Sequence, residues 1–91
     1  MATILVCDDD KDIVEAISIY LEQEGHQILK AYDGQQALLV LQKNEVDLLI
    51  IDVMMPKLDG IRATLKIREE HSLPIILFFQ QSPRMQIKFL D

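Results

Sequence analysis

Ile4-Leu5-Val6-Cys7 running into Asp8-Asp9-Asp10, and Leu48-Leu49-Ile50-Ile51 running into Asp52, are the two stretches that decide the fold. Each is an apolar run without polar alternation, the pattern of a strand covered on both faces. Each also ends abruptly in acid. In a parallel sheet built from βαβ units the C-terminal ends of the strands face one crevice, where open α/β folds bind their ligands. The two acidic ends should therefore meet. Carboxylates gathered at one edge raise one another's pKa unless a cation or proton compensates, so a divalent metal site is the simplest stable state.

Working outward, Thr3–Cys7 is a buried strand and the acids mark a loop. Asp9 or Asp10 can cap a following helix in which Ile13, Ala16, Ile17, Tyr20 and Leu21 repeat at the spacing of one buried face, and Gly25 ends it. Gln27–Ala31 reads as a second strand, Asp33-Gly34 as a turn, and residues 35–43 as a helix burying Ala37, Leu38 and Leu41 and closed by Asn44. Asp47 opens the third strand. The loop 53–60 contains Pro56, which prevents regular pairing, and Gly60 leads into a helix over 61–70. Pro74 introduces a fourth apolar strand over 75–79. Alternation of this kind predicts an α/β fold, a doubly wound parallel sheet with right-handed crossovers. In strand order 2-1-3-4 the first and third strands are neighbours, which places Asp8-Asp9-Asp10 beside Asp52.

Ninety-one residues with 49% hydrophobic and 26% charged side chains suit one small globular domain. The net charge of -6 is uneven, because the acid concentrates before position 60. Such a surface repels phosphate backbones, and no basic stripe or aromatic platform accompanies it, so binding of nucleic acid through these residues is not expected. Cys7 is the only cysteine, so an internal disulfide is excluded and Cys7 reads as a small core residue. No run approaches the roughly 20 apolar residues of a membrane span and no secretory leader pattern is present. A cytoplasmic protein away from membranes is expected.

Taken together, Ile4-Leu5-Val6-Cys7-Asp8-Asp9-Asp10, Asp47-Leu48-Leu49-Ile50-Ile51-Asp52-Val53-Met54-Met55-Pro56, Leu58-Asp59-Gly60 and Leu73-Pro74-Ile75-Ile76 resemble a response-regulator receiver domain of two-component signalling. The likeness covers about residues 2–79 and implies a flavodoxin-like receiver fold. It implies that Asp52 is the phosphoacceptor, that Asp8 and Asp9 are the acid pair around Mg²⁺, and that the carbonyl of Met54 is a further metal ligand, with Asp10 left to cap its helix. It also implies a sensor histidine kinase as phosphodonor and partner. The sequence departs from the family in its last part. Phe79 stands where a hydroxyl residue is expected, Gln80 where a small residue is usual, and the Lys-Pro pair after a fifth strand is absent. The expectation is a receiver core over 1–79 cut short before the fifth strand and last helix, with an atypical tail over 80–91 that is either exchanged between chains or unstructured.

An open fourth-strand edge and an uncovered sheet face would recruit a second chain, so a homodimer or tail-exchanged oligomer is expected. In the tail, Met85, Ile87 and Phe89 alternate at period two while Met85 and Phe89 also sit at helical spacing, so periodicity assigns neither state. Two rival functions stand beside the phosphoacceptor, which is not itself an enzyme. A degenerate receiver would act through protein contacts alone. A Mg-dependent aspartate-nucleophile phosphatase would use Asp8 and Asp10, although Lys11-Asp12 follow where that pattern wants other residues and no cap domain fits. His26 and His71 are read as solvated surface residues, Met54 and Met55 as packing residues, and Lys57 as a loop charge.

Overall fold

The acid that ends the first strand also starts the first helix. Asp10 adopts extended backbone and its carboxylate accepts from the N–H groups of Asp12 and Ile13, satisfying donors that the first helical turn leaves open. In the computed structural model, which describes the backbone of residues 1–53, 60–81 and 84–90 and side chains as far as Phe78, the elements are β1 (Thr3–Cys7), α1 (Lys11–Gln23), β2 (Gln27–Ala31), α2 (Gly34–Lys43), β3 (Leu48–Asp52), α3 (Gly60–Glu70), β4 (Ile75–Gln81) and β5 (Arg84–Leu90). Helix α1 ends as its glycine dictates. Gly25 takes φ 91°, and the N–H groups of Gly25 and His26 return to the carbonyls of Glu22 and Leu21, a Schellman closure that a side chain at Gly25 would strain. At α2, Asp33 accepts from Gln36 N–H while the Gln36 side chain accepts from Tyr32 N–H, so both partners stabilise the turn before the helix.

The sheet order is β2-β1-β3-β4-β5. The first four strands are parallel, with Ile4–Cys7 set against both Ile28–Ala31 and Leu48–Ile51, and β3 against β4 from Leu49↔Ile75 to Asp52↔Phe78. The expected 2-1-3-4 parallel arrangement is therefore present. The edge of β4, expected to be open, is not. The tail returns beside β4 in the same chain as the antiparallel strand β5, in register from Ile75↔Leu90 to Gln81↔Arg84. A parallel neighbour needs a crossover of a dozen or more residues, whereas a hairpin needs about two, and two residues separate β4 from β5. Strand β4 also runs past position 79, to Gln81.

Two cores lie on the two faces of the sheet. Leu5, Cys7, Leu49, Ile51, Ile75 and Leu77 pack with Ala37 and Leu41 of α2 and Ala63 and Ile67 of α3, while Ile4 and Val6 pack with Val14 of α1 on the other side. Of the α2 residues expected to be buried, Ala37 and Leu41 are, and Leu38 is half-buried against the same core. The face of α1 is corrected. Val14 and Ser18 are its fully buried residues, Ile13, Ile17 and Leu21 are half-buried, and Ala16 and Tyr20 face outward. Helix α1 carries more apolar residues than one face can bury, and the small Ser18 lets the helix settle with Val14 at its centre line.

Candidate functional site

The ends of β1 and β3 are adjacent because Cys7 and Ile51 are partners in the ladder. The next residues, Asp8 and Asp52, are 0% and 1% exposed, while Asp9 is exposed. Carboxylate oxygens of Asp8, Asp9 and Asp52 lie within 4.8 Å of one another, as the two acidic strand ends predict. Asp10 does not join them, since its carboxylate is committed to the start of α1. Met54, the fourth expected ligand, lies outside the described residues, as do Met55 and Lys57.

Asp8 carries the electrostatic cost of this arrangement. Its Oδ1 accepts from the backbone N–H of Asp10 at 3.0 Å, but its buried Oδ2 receives no donor among the described residues. Burial, reinforced by the carboxylates of Asp9 and Asp52 and only partly opposed by the Asp10 N–H, pushes Asp8 from an ordinary 3.8 up to about 7. A neighbouring carboxylate satisfies Oδ2 only when the pair shares a proton. A hard cation satisfies all three groups at once, and three clustered carboxylate oxygens are the donor set that Mg²⁺ accepts.

The floor of the site is backbone. Gly60 opens α3 with its N–H donated to the Val53 carbonyl at 3.1 Å, and a Cβ built there would lie 2.5 Å from Val53 Cα and closer still to the carbonyl oxygen of Asp52. No side chain fits between the helix start and the strand end. The buried Thr64 hydroxyl donates to the Gly60 carbonyl at 2.6 Å and holds the same turn. This dependence of Asp52 on Gly60 is not visible in the sequence, which marks Gly60 only as a helix entry.

The remaining candidates lie elsewhere. Cys7 is buried with its Sγ donated to the Asp33 carbonyl at 3.3 Å, and burial with nearby carboxylates pushes its thiol up to about 12, so it is inert core as expected. His26 is not merely solvated, because its Nδ1 accepts the N–H of Ala2 at 3.1 Å. The Asp47 carboxylate accepts from Thr3 N–H at 2.8 Å, and Asp47 N–H donates back to the Thr3 carbonyl. Both clamp the start of β1. A hollow lined by Asn44, Glu45, Asp47, His71 and Ser72 opens at the opposite end of the strands, away from the clustered carboxylates.

Residues 4–90 match the profile of the response regulator receiver domain. The chain belongs to that family, the receiver domains of two-component response regulators. Among its relatives, the receiver resembles the response regulator GtcR of Aneurinibacillus migulanus, 44% identical over 75 residues, which are 82% of this chain and 31% of that protein. It resembles the transcriptional regulatory protein CpxR of Klebsiella pneumoniae at 43% over 77 residues, 85% of this chain and 33% of that one. The receiver thus spans about a third of the length of these curated relatives. In three dimensions it is similar to TrrA of Thermotoga maritima in complex with Mg(2+)-BeF (TM-score 0.84, 35% identity, 90% of this chain and 72% of that one). It is also similar to the receiver domain of a Francisella response regulator (TM-score 0.82, 36% identity, 87% and 66%). No helix among the described residues is long and apolar enough to cross a membrane.

Proposed function

We propose that this receiver accepts a phosphoryl group on Asp52 from the phosphohistidine of a sensor histidine kinase, with Mg²⁺ held by Asp8, Asp9, Asp52 and the carbonyl of Met54. The observation that carries the reading is the meeting of Asp52 with Asp8 and Asp9. Bound Mg²⁺ would supply positive charge that lets the three carboxylates stay ionised together and that draws phosphoryl oxygens toward them. Asp52 itself does the bond-making. One of its oxygens attacks phosphorus, the P–N bond to the histidine breaks, the imidazole leaves with the electron pair, and an acyl phosphate forms on Asp52. Asp8 excludes water from the inner side of the cluster by its burial, and Asp10 contributes only by fixing α1. Residues 1–79 carry this site and the tail covers the edge of β4. A phosphorelay of this kind operates in the cytoplasm, and a single buried cysteine, Cys7, suits that compartment.

A second reading is a degenerate receiver acting only through protein contacts, supported by Phe79 in place of a hydroxyl residue. A phosphatase using Asp8 and Asp10 is disfavoured because Asp10 is spent as a helix cap. Incubation with Mg²⁺ and acetyl phosphate, followed by mass mapping, separates the three. Phosphate on Asp52, lost with Asp9→Asn and retained with Asp10→Asn, is expected. An adduct on Asp8 would establish the phosphatase, and no adduct at all the degenerate module. We further infer that the chain meets copies of itself, although not through the β4 edge, which β5 occupies.

A further inference from the structure

Six large hydrophobic side chains are exposed among the described residues, and four of them form two pairs. Ile19 and Tyr20 of α1 are 52% and 64% exposed, and Ile61 and Leu65 of α3 are 50% and 64% exposed. The pairs lie on opposite layers, since α1 packs on the Ile4–Val6 face of the sheet and α3 on the Leu49–Ile75 face. Their charged surroundings are opposite too. Around Ile19 the exposed charges of α1 are Asp12, Glu15 and Glu22 together with Lys11 in the first turn, and Glu15 is paired to Lys30. Beside Ile61 and Leu65 the exposed helix carries Arg62 and Lys66, one turn apart, then Arg68, which donates to the Leu73 carbonyl, with Glu69 and Glu70 at its end. An apolar centre with a net acidic rim on one layer matches an apolar centre with a net basic flank on the other.

We propose that these two surfaces bind one another between copies of the receiver, the α1 face of one copy seating on the α3 face of the next. The occupant is a second copy of this chain because the complementary charge and the complementary apolar pair are both supplied by the chain itself. Like faces would set acid against acid or base against base, which costs rather than stabilises. A contact between two different faces is heterologous, so it propagates into short open arrays instead of closing at two. Rim charges are screened as the Debye length shrinks from about 10 Å at 0.1 M salt to about 3 Å at 1 M, so the association weakens with salt. The proposal rests on the self-association reading above and not on phosphate acceptance.

Static light scattering across a concentration series of the 91-residue chain tests it, with Ile19→Lys and Leu65→Glu as variants at exposed positions. The wild-type mass should climb above that of two copies with concentration and fall back toward one copy in 1 M salt. Each variant alone should stay at one copy. An equimolar mixture should rise to two copies and stop, because Ile19→Lys keeps an intact α3 face and Leu65→Glu an intact α1 face. A wild type that remains a single copy throughout would overturn the proposal, as would variants that associate like wild type or a mixture that does not pair. Both variants should keep the wild-type melt and label on Asp52 with acetyl phosphate. Loss of pairing with labelling retained therefore separates failure here from failure of the phosphoacceptor reading.

Discussion

Replacing Gly60 with alanine sets two physical effects of opposite sign against each other. Alanine restricts the unfolded chain and suits a helix better than glycine, which favours the folded state by about 0.5–1 kcal/mol. Against this, the new methyl group would lie 2.5 Å from Val53 Cα, where about 3.0 Å is the closest approach that real Cβ atoms make, and it would press harder on the Asp52 carbonyl. Because the Asp52 carbonyl oxygen is nearer still, the start of α3 must retreat by about 1 Å, and the neighbouring atoms are backbone, which yields little. Overpacking of this kind costs about 1–3 kcal/mol. Stretching the Gly60 N–H bond to the Val53 carbonyl, now 3.1 Å, costs about 1 kcal/mol more. The net expectation is a loss of about 1–3.5 kcal/mol. For a domain of this length, at about 4–8 °C per kcal/mol, that lowers Tm by about 4–28 °C, read by circular dichroism. Because the atoms displaced are those of Asp52, Mg²⁺ affinity measured by calorimetry should fall as well. A variant whose Tm is unchanged or raised would show that helix propensity dominates, and the close packing of α3 on the strand end would be refuted.

Two further outcomes follow from the same structure. Asp8 holds its proton up to about pH 7 when folded and only to about 3.8 otherwise, so the folded chain binds the extra proton between those values. Metal-free stability should therefore decline on the order of a few kcal/mol as pH rises from about 4 to 7 and level off above. Urea titrations at pH 5 and 8 should show this fall, and Asp8→Asn or added Mg²⁺ should remove it. Separately, Asp47→Ala should cost about 0.5–1.5 kcal/mol by leaving Thr3 N–H without its acceptor, with faster hydrogen exchange at Thr3 and little change at Leu49.

Local patterns account for what was legible in the chain. The apolar runs place β1, β3 and β4, and the acids at the ends of β1 and β3 place the site, because strand direction and burial follow from neighbours in sequence. Gly25 and Asp10 act where their chemistry says they should. Longer-range relations were not legible. His26 and Asp47 reach back to Ala2 and Thr3 across 24 and 44 residues, and no spacing rule announces such bonds. In α1 the periodicity points one position away from the buried centre at Val14 and Ser18, because the apolar residues spread too widely to mark one face. The tail satisfied helix and strand spacing equally, and the apolar edge of β4 decided in favour of strand.

That hairpin also bears on the order in which the chain folds. Each parallel pairing in this sheet joins strands separated by at least one helix, so each must close a long loop before its ladder repays the entropy. Strands β4 and β5 are separated by two residues, and hairpins of such short connection form in about 1–10 μs. The β4–β5 hairpin can therefore zip first and present an already paired β4 to β3, so that the antiparallel pairing of the sheet precedes the parallel ones in time. The acidic site between β1 and β3 assembles after it.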